Sequence, residues 1–577
     1  MGLSRRTERR IAIESEIIIG VIDSGIWPES ESFSDQGFGP IPAKWKGSCD
    51  GGITFVCNRK IIGARTFSVE SRELSARDKD GHGTHVASIV AGNQVGGASY
   101  YGLADGVARG GVPSARLAIY KVCDPDCADT DILSAFDHAI ADGVDIISVS
   151  LGHKDPPELT FDPIAIGAFH AIEKGILTVQ AAGNDGPSLL SINSYAPWIL
   201  TVGASYTDRK IVDKILLGAK DNIIVGNAIN IFPSSDEASP LVYGKDVTSN
   251  CSETKARKPH VKILRSESVD NLRALFAASF SSRGPSRYMY DIIKPDVIAP
   301  GVEILAAFPP TDLPSGVALD INSLKFSILS GTSMACPHVS AAAAFVKSYR
   351  PEWSPSAIKS ALMTTVSLIH CVRYYVTAWE FDASLNPEAE FAYGSGHIDP
   401  IKATNPGLVY ETFFQEYHKI WCNISRTPGS VIPTNASCPT KLTPKEINYP
   451  SMAAQVQVRY AFVVSFPRIV TNVGQANSAY VATIEGNPSN FRFKVEPNTM
   501  RFMTQNEKKN FVVTVWGKGM KPQTIKRTSL LWTDGVHRVR SPIVIYTMGT
   551  SNGQRVLTTS KFQIIIILLI MTIVLMC

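Results

Sequence analysis

Between residues 17 and 205, continuous apolar runs alternate with amphipathic segments, and this alternation constrains the fold more than any other feature of the sequence. Two amphipathic segments, residues 131–143 and 163–175, carry apolar residues at helical spacing and end in Gly. Apolar strands separated by helices are typical of a parallel sheet covered on both faces, so we predict an α/β domain of this kind. Its predicted strands are IIIGVI (17–22), RLAIYKV (116–122), VDIISVSL (144–151), ILTV (176–179) and ILTV (199–202).

After residue 448 the pattern changes to short alternating strands with turn residues between them, which predicts a β-sandwich of about 100 residues. A chain of 577 residues is too long for one ordinary core, so several domains are expected. The predicted order is an N-terminal remnant (1–15), the α/β domain (16–410) with a short insertion (206–278), a linker (411–446), the sandwich (447–547), and a polar spacer with a hydrophobic tail (548–577).

The composition, with 44% hydrophobic and 19% charged residues, is that of a globular protein. A net charge of +4 without a basic stripe interleaved with aromatics gives no reason to expect nucleic acid as a partner. Three cysteine pairs lack the CxxC spacing of zinc sites, so local disulfides in an oxidising compartment are expected. The pairs are Cys49/Cys57, Cys123/Cys127 and Cys422/Cys438, and glycosylation sequons begin at Asn250, Asn423 and Asn435.

The two ends of the chain carry separate expectations. The first ten residues, MGLSRRTERR, contain neither the apolar segment nor the cleavage site of a signal peptide, so we expect the true start to lie upstream. The tail FQIIIILLIMTIVLMC (562–577) is shorter than the roughly 20 residues of a spanning helix. Ser551, Asn552 and Gly553 and a polar spacer precede it, which is the layout of a lipid-anchor signal. A membrane or lipid anchor is one interpretation of this tail, and a marginal helix or a segment without a role is the other.

Two motifs supply a candidate carboxylate and a candidate general base. Asp23 ends the first apolar run, and open α/β sheets place their sites at that end of a strand, although Asp23 taken alone could simply start a turn. His82 lies in DGHGTH (80–85), where two glycines leave the imidazole accessible. His82 and His85 could instead bind a metal, but no HExxH pattern or suitably spaced carboxylate accompanies them, so no metal is expected. For His85 a hydrogen-bonded core position is favoured.

A serine and an asparagine complete the candidate site. Ser333 lies in SGTSMACPH (330–338) and begins an Ala-rich helix, whose N-terminal N–H groups and dipole would stabilise an oxyanion. Asn184 follows the run ILTVQAAG, and its side-chain amide could complete an oxyanion hole worth about 3–4 kcal/mol of barrier. An N-cap serine and a turn-forming asparagine are the alternative interpretations, but they leave the other motifs unexplained.

Together these residues predict acyl transfer to a serine. Ser333 would attack the scissile carbonyl, His82 would take and return the proton, and Asp23 would hold the imidazole tautomer and stabilise the imidazolium. The chain order Asp, His, Ser is the order found in subtilisin. No GxSxG motif surrounds Ser333, which argues against a lipase or an esterase.

The four short motifs around Asp23, His82, Asn184 and Ser333 resemble the signature blocks of subtilisin-like serine proteases. The resemblance extends from residue 16 to residue 546. Other segments are similar to the plant, cucumisin-like branch: GIWPES (25–30), CNRKIIGAR (57–65), YAPWILTVGAS (195–205), SFSSRGP (279–285), FAYGSGHIDP (391–400) and VTNVG (470–474). The resemblance implies a subtilisin-like catalytic domain, a fibronectin-III-like sandwich and an extracellular endopeptidase of the apoplast or cell wall that acts on polypeptides without calcium or another cofactor.

The resemblance also implies where a substrate would bind. An extended polypeptide would lie as an added strand beside Ser148, Val149, Ser150, Leu151 and Gly152. The nearby acidic stretch 124–131 lacks the Gly and the terminal Glu of an EF-hand loop, so we expect it to cap the following helix and not to bind calcium.

The sequence departs from the family pattern at three points. The chain starts where a signal peptide and an inhibitory prodomain would come first, and residues 206–278 are a remnant of the usual protease-associated insertion. Ala341 stands where Gly is usual, and residues 366–385 match poorly. Two hypotheses follow: an active endopeptidase, or an inactive or non-folding product of a truncated gene. An adhesion module that uses the sandwich has little support because the catalytic blocks are intact.

Overall fold

Between residues 17 and 205, the region for which it was predicted, strands alternate with helices. The computed structural model describes residues 1–4, 6–67, 74–217, 222–231, 239–240, 260–271, 274, 276–310, 324–366, 388–424, 442–486 and 488–549. The helices are α1 (Ile11–Glu14), α2 (His82–Ala91), α3 (Asp129–Asp142), α4 (Pro163–Glu173), α5 (Thr332–Tyr349), α6 (Pro355–Thr364), α7 (Glu390–Tyr393), α8 (Pro400–Ala403) and α9 (Phe414–Ile424). The strands are β1 (Ile18–Asp23), β2 (Cys49–Asp50), β3 (Ile61–Thr66), β4 (Val95–Tyr100), β5 (Leu103–Ala108), β6 (Arg116–Lys121), β7 (Ile146–Val149), β8 (Leu177–Ala181), β9 (Leu200–Ser205), β10 (Arg209–Leu217), β11 (Asn222–Gly226), β12 (Ser239–Pro240), β13 (His260–Ile263), β14 (Glu267–Asp270), β15 (Val297–Pro300), β16 (Ile304–Ala307) and β17 (Phe326–Leu329).

An eight-stranded sheet forms the centre of the α/β domain, in the order β15-β9-β8-β7-β1-β6-β3-β2. Every neighbouring pair in it is parallel, which confirms the prediction. The strands β1, β6, β7, β8 and β9 are buried along their whole length, as expected for strands covered on both faces. Helices α2 and α5 pack against each other and against this sheet, and helices α3 and α4 form a second such pair.

Helix α5 is largely buried, and its small side chains make this possible. Fourteen of its 18 residues are buried. The methyl group of Ala341 packs against Gly111, where an added Cβ would lie 2.4 Å from it. Gly111 therefore provides the space that lets an alanine occupy the position where the family usually has glycine.

Helix α3 corrects one detail of the prediction. Its N-cap is Ala128, and no side chain caps the helix, so the acidic stretch does not act as the predicted cap. Asp129 and Asp131 lie in the first turn, where their charge favours the helix N-terminus. Helix α4, by contrast, is capped by Asp162, whose side chain accepts hydrogen bonds from two backbone N–H groups of the first turn.

Disulfide bonds join Cys49 to Cys57 and Cys123 to Cys127, as predicted. Cys422 is also disulfide-bonded, and its predicted partner Cys438 lies outside the described residues. Among the described cysteines, Cys336 is a free and buried thiol.

Nine further strands form the C-terminal sandwich, which confirms the predicted fold. A four-stranded sheet has the order β18-β20-β24-β22, and a five-stranded sheet has the order β19-β26-β25-β21-β23. Aromatic side chains of both sheets, among them Phe466, Phe511 and Trp532, are buried in the core between them. The strands are β18 (Leu408–Val409), β19 (Met452–Gln455), β20 (Phe462–Asn472), β21 (Ser478–Glu485), β22 (Phe491–Glu496), β23 (Thr499–Phe502), β24 (Lys508–Gly517), β25 (Ile525–Thr533) and β26 (Arg538–Tyr546).

Several predicted features lie wholly or partly outside the described residues. The predicted insertion contributes strands β10 to β14, which pair antiparallel, and part of it is not described. The tail 562–577, the segment 367–385 and the sequons at Asn250 and Asn435 are not described either. Asn423 lies in α9, and its side-chain amide donates to the Leu442 carbonyl at 2.7 Å. None of the helices in the described ranges combines the length and apolar character needed to cross a bilayer.

Candidate active site

Asp23 and His82 are brought together where β1 ends and α2 begins. Asp23 is the last residue of β1 and is 2% exposed. His82 is the first residue of α2 and follows Gly81, whose φ of 91° places it in the left-handed region that favours glycine. The imidazole Nδ1 lies 2.7 Å from Asp23 Oδ1, and the Ser24 backbone N–H donates to the same oxygen at 2.8 Å. The carboxylate therefore fixes the orientation of the imidazole through its Nδ1 edge.

The charge of Asp23 changes the protonation of His82. Burial favours the neutral imidazole, but the charge of Asp23 and its hydrogen bond outweigh burial and raise the pKa of His82 from 6.5 to about 9. Asp80 and Asp78 act in the same direction. The site thus stabilises an imidazolium, which is the state that His82 reaches when it accepts a proton from a hydroxyl.

Asp78, which was not predicted from its sequence position, stabilises the surroundings of this pair through hydrogen bonds. Its buried carboxylate accepts hydrogen bonds from Ser24 Oγ at 2.9 Å, from Gly81 N at 2.8 Å, and from Thr84 N and Oγ1 at 2.8 and 2.6 Å. Ser24 Oγ in turn accepts from the backbone N–H of Gly83 at 2.9 Å. These bonds tie the end of β1 to the first turn of α2. The only sequence signal is an aspartate two residues before the DGHGTH motif.

Ser333 is the second residue of α5 and lies at the helix N-terminus, as predicted. Its hydroxyl donates to the Ser150 carbonyl at 3.2 Å, and the Ser150 hydroxyl donates to the Ser333 carbonyl at 2.9 Å. This reciprocal pair fixes α5 against the segment that follows β7. Ser333 and His82 line the same cleft.

Asn184 follows β8, and its side chain is oriented by the start of α5. Asn184 Oδ1 accepts hydrogen bonds from Thr332 N and Thr332 Oγ1, both at 2.9 Å. Because the oxygen is used in this way, the amide Nδ2 is the group left to donate into the cleft. Thr332, which the sequence analysis did not single out, positions this amide.

A cleft of about 610 Å³ joins the four residues. Of the predicted substrate-binding residues, Ser150, Leu151 and Gly152 line it. The structure corrects the prediction for Ser148 and Val149, which are fully buried. Strand β7, to which both belong, is paired with β1 on one side and with β8 on the other, so no substrate strand can be added there.

His85 has the packing role that the sequence favoured. It is fully buried, and its Nε2 lies 3.0 Å from the Ile304 carbonyl and 3.2 Å from the Ser327 carbonyl, so this nitrogen carries the proton. Burial lowers the pKa of His85 to about 3, which keeps it neutral. Within the described ranges, no group of three or more His, Cys, Asp or Glu side chains is placed to hold a metal ion.

Comparison with known proteins assigns the chain to a family. Residues 14–396 match the sequence model of the subtilase family, and residues 446–545 match that of a fibronectin type-III domain. The chain belongs to the subtilase family. This subtilase is 47% identical to subtilisin-like protease SBT4.10 of Arabidopsis thaliana over 95% of its own chain and 81% of that protein. It is 43% identical to subtilisin-like protease SBT4.4 of the same plant over 95% and 84% of the two chains.

These matches confirm the predicted enzyme class: this subtilase is a subtilisin-like serine endopeptidase. A solved structure described as S41 psychrophilic protease aligns with 67% of this chain and 92% of its own, at 22% identity and a TM-score of 0.38. A similarity of that size supports no conclusion about this subtilase.

Proposed function

We propose that this subtilase hydrolyses peptide bonds of polypeptides through an Asp23–His82–Ser333 triad and an acyl-enzyme intermediate. The observation that carries the proposal is the 2.7 Å contact between Asp23 Oδ1 and His82 Nδ1 on a cleft that Ser333 also lines. With Nδ1–H held by the carboxylate, Nε2 is the nitrogen left to accept the proton of the Ser333 hydroxyl. Ser333 Oγ then bonds to the scissile carbonyl carbon, and the carbonyl oxygen takes up negative charge.

Two donors would stabilise that oxyanion. Asn184 Nδ2 is one of them, because Thr332 occupies the oxygen of the same amide. The other is the backbone at the N-terminus of α5, where N–H groups and the helix dipole favour an anion. The carbon–nitrogen bond breaks as His82 returns the proton to the leaving amine, and water attacks the ester in the reverse sequence of proton transfers.

The substrate backbone would pass along Ser150, Leu151 and Gly152, the part of the predicted binding segment that lines the cleft. These residues follow β7 and lie beyond its last paired residue, Val149, so an extended chain could run beside them without displacing a strand of the sheet. In this proposal the catalytic unit is residues 16–410, except that β18 (Leu408–Val409) pairs with the sandwich strand β20, and the sandwich is otherwise residues 447–547. Two disulfides in the catalytic unit support an extracellular site of action.

Labelling with a fluorophosphonate probe tests the proposal on the full chain. The probe should modify the purified protein and should fail to modify Ser333→Ala, because only a serine activated by a base reacts quickly. Ser188→Ala, which removes an exposed hydroxyl outside the cleft, is the matched control and should label like the unchanged protein. Cleavage of a denatured polypeptide should follow the same pattern.

The same labelling, combined with thermal unfolding, distinguishes the active enzyme from the alternative of an inactive or non-folding product. A chain that unfolds cooperatively on heating but is not labelled at Ser333 would be a folded and inactive protein. A chain without a cooperative transition would be the non-folding product. Either result would overturn the proposed activity.

A further inference from the structure

The sandwich differs sharply in charge from the rest of the chain. Residues 447–547 contain 13 Lys and Arg against four Asp and Glu, a net charge of +9, while the whole chain has a net charge of only +4. The remaining residues are therefore net negative. A basic excess confined to one domain attracts polyanions to that domain alone.

Part of this excess is neutralised locally. Lys494 pairs with Glu496 at 2.6 Å, Lys509 with Glu507 at 2.9 Å, and Arg538 with Glu485 at 2.8 Å. Another group of cations is exposed and forms no ion pair within the described part of the chain. It consists of Arg459, Arg492, Lys518 and Lys521.

Three separate segments bring these four cations to one end of the sandwich. The Arg459 backbone N–H donates to the Met520 carbonyl at 2.9 Å, which places Arg459 beside the segment that carries Lys518 and Lys521. Arg492 of β22 is paired with Trp516 of β24, two residues before Lys518. Phe462 at the start of β20 and Phe491 at the start of β22 both pair with Gly517 at the end of β24, so the three segments meet at the same end of this sheet.

Aromatic rings lie among the cations. Tyr460, next to Arg459, is 68% exposed. Along β24 the residues Val513 and Val515 are buried in the core, so the alternating residue Trp516 points to the outer face. We call the six residues Arg459, Tyr460, Arg492, Trp516, Lys518 and Lys521 the basic end surface.

We propose that the basic end surface binds an anionic polysaccharide whose sugar rings carry carboxylates, and so retains the enzyme on an extracellular matrix. The guanidinium groups of Arg459 and Arg492 can each bond a carboxylate in a bidentate manner, and the lysines add point charges. The rings of Tyr460 and Trp516 offer apolar faces against which sugar rings can pack. The disulfides of the chain indicate an oxidising, extracellular compartment, which favours a polysaccharide over nucleic acid as the polyanion.

The surface is built from residues other than those of the cleft, so binding does not depend on the proposed catalytic mechanism. All four cations are exposed, and their attraction to a polyanion is therefore screened by salt. Binding should be tight at low ionic strength and weaken steeply as salt is added. An uncharged polysaccharide should bind weakly at any salt concentration.

Binding of polygalacturonate to the full chain tests the proposal, with dextran as the neutral polymer and duplex DNA as the competing class of polyanion. The triple variant Arg459→Gln, Lys518→Gln, Lys521→Gln should bind polygalacturonate at least about tenfold more weakly, because three charge-assisted contacts are removed. The matched control is the triple variant Arg501→Gln, Lys509→Gln, Arg538→Gln, which removes the same charge from other positions of the sandwich. The control should bind nearly as tightly as the unchanged chain.

Two further measurements keep the test decisive. Thermal unfolding should show that both triple variants remain folded, and the single variant Lys521→Glu should weaken binding if the triple variant does not fold. Tyr460→Ala should weaken polygalacturonate binding without a change in charge. Equal losses in the two triple variants, equal binding of dextran, or tighter binding of duplex DNA than of polygalacturonate would each overturn the proposal.

Discussion

Two buried carboxylates lie at opposite edges of the same parallel sheet, and they differ in whether their partners reach solvent. Asp23 ends β1 at the carboxyl edge, and its partner His82 keeps 28% of its side chain exposed to the cleft. Asp296 directly precedes β15 at the amino edge, and its partners Lys294 and Lys359 are almost completely buried. The carboxyl edge of such a sheet is where open α/β folds bind ligands.

We call Asp296, Lys294, Lys359 and Tyr449 the Asp296 cluster. Tyr449, from the C-terminal part of the chain, covers it. Lys294 Nζ donates to Asp296 Oδ2 at 2.8 Å, to Ile199 O at 2.9 Å and to Thr201 Oγ1 at 2.9 Å. Every hydrogen of this ammonium therefore has an acceptor. The Tyr449 hydroxyl, which lies at the start of the predicted sandwich, donates to Asp296 Oδ1.

Lys359 completes the cluster in the same manner. Its Nζ donates to Pro197 O at 2.9 Å, to Ile199 O at 2.8 Å and to Tyr449 OH at 2.6 Å. Burial and the neighbouring cation Lys294 hold the pKa of Lys359 well below its usual value, although Asp296 acts in the opposite direction. Burial would raise the pKa of Asp296, but the two lysines outweigh it and lower that pKa.

The comparison shows that a buried carboxylate and a cation do not make a catalytic pair by themselves. His82 borders the cleft, as the proton transfers of the proposed mechanism require. The two lysines have no such opening, and their hydrogen bonds are already complete. The Asp296 cluster therefore fixes the catalytic domain to the sandwich, and substitutions should separate chemistry at one edge from stability at the other.

The largest effect is expected from Asp23→Asn. The amide no longer selects the correct imidazole tautomer or stabilises its charge, so kcat should fall about 10⁴-fold. The measurement is peptide hydrolysis by the folded protein, with Asp185→Asn, another aspartate that lines the cleft, as the control. A loss of equal size in both variants would show that the cleft needs charge in general and not this pair.

Asp296→Asn should act on stability instead. It leaves two buried amines without their counter-charge, and the free energy of unfolding should fall by about 3–5 kcal/mol. Urea unfolding measures this loss, while active-site titration gives kcat per folded molecule, which should stay near its original value. A folded and equally stable variant with a low kcat would contradict the structural role.

Asn184→Ala should lower kcat by about 10²–10³-fold, because one oxyanion donor is removed. KM should change little, since the amide bonds to the transition state more than to the bound substrate. Steady-state kinetics separates the two parameters. A raised KM with an unchanged kcat would assign Asn184 to substrate binding.

Tyr449→Phe tests the seal of the Asp296 cluster with a smaller change. It removes one hydroxyl and leaves Lys359 and Asp296 each with one partner fewer, at a cost of about 1–3 kcal/mol. Urea unfolding should show a loss smaller than that of Asp296→Asn. An unchanged stability would mean that the hydroxyl does not join the two domains.

The pH profile of the unchanged enzyme gives the mildest test. His82 acts as a base only when neutral, and its pKa is raised to about 9, so kcat/KM should rise about tenfold per pH unit up to about pH 9. The residual activity of Asp23→Asn should reach its plateau at a lower pH, because the charge that raises the pKa is gone. An identical profile in both proteins would show that another group titrates.

The sequence predicted those parts of the site that lie in local motifs. Asp23, His82, Asn184 and Ser333 each stand beside glycines or at the end of an apolar run, so their surroundings could be read from a few neighbouring residues. The parallel sheet and the sandwich were predicted for the same reason, since the hydrophobic period is a local property.

Features made by distant segments could not be predicted. Asp78 is identified by its tertiary hydrogen bonds, and the Asp296 cluster gathers residues that are far apart in the chain. Ser148 and Val149 were misplaced because their sequence does not reveal which strands flank β7. The basic end surface escaped notice because its cations come from three segments and form no stripe.

The spread of the cleft residues along the chain also governs when the site can exist. Asp23 and Ser333 meet at one cleft only after β1 has paired with β6 and β7 and α5 has packed against β7, β8 and β9. Parallel pairings between remote segments form late, since loop-closure entropy opposes them until many contacts cooperate. A partly folded chain therefore has no assembled nucleophile, and we expect proteolytic activity to emerge only in the last stage of folding.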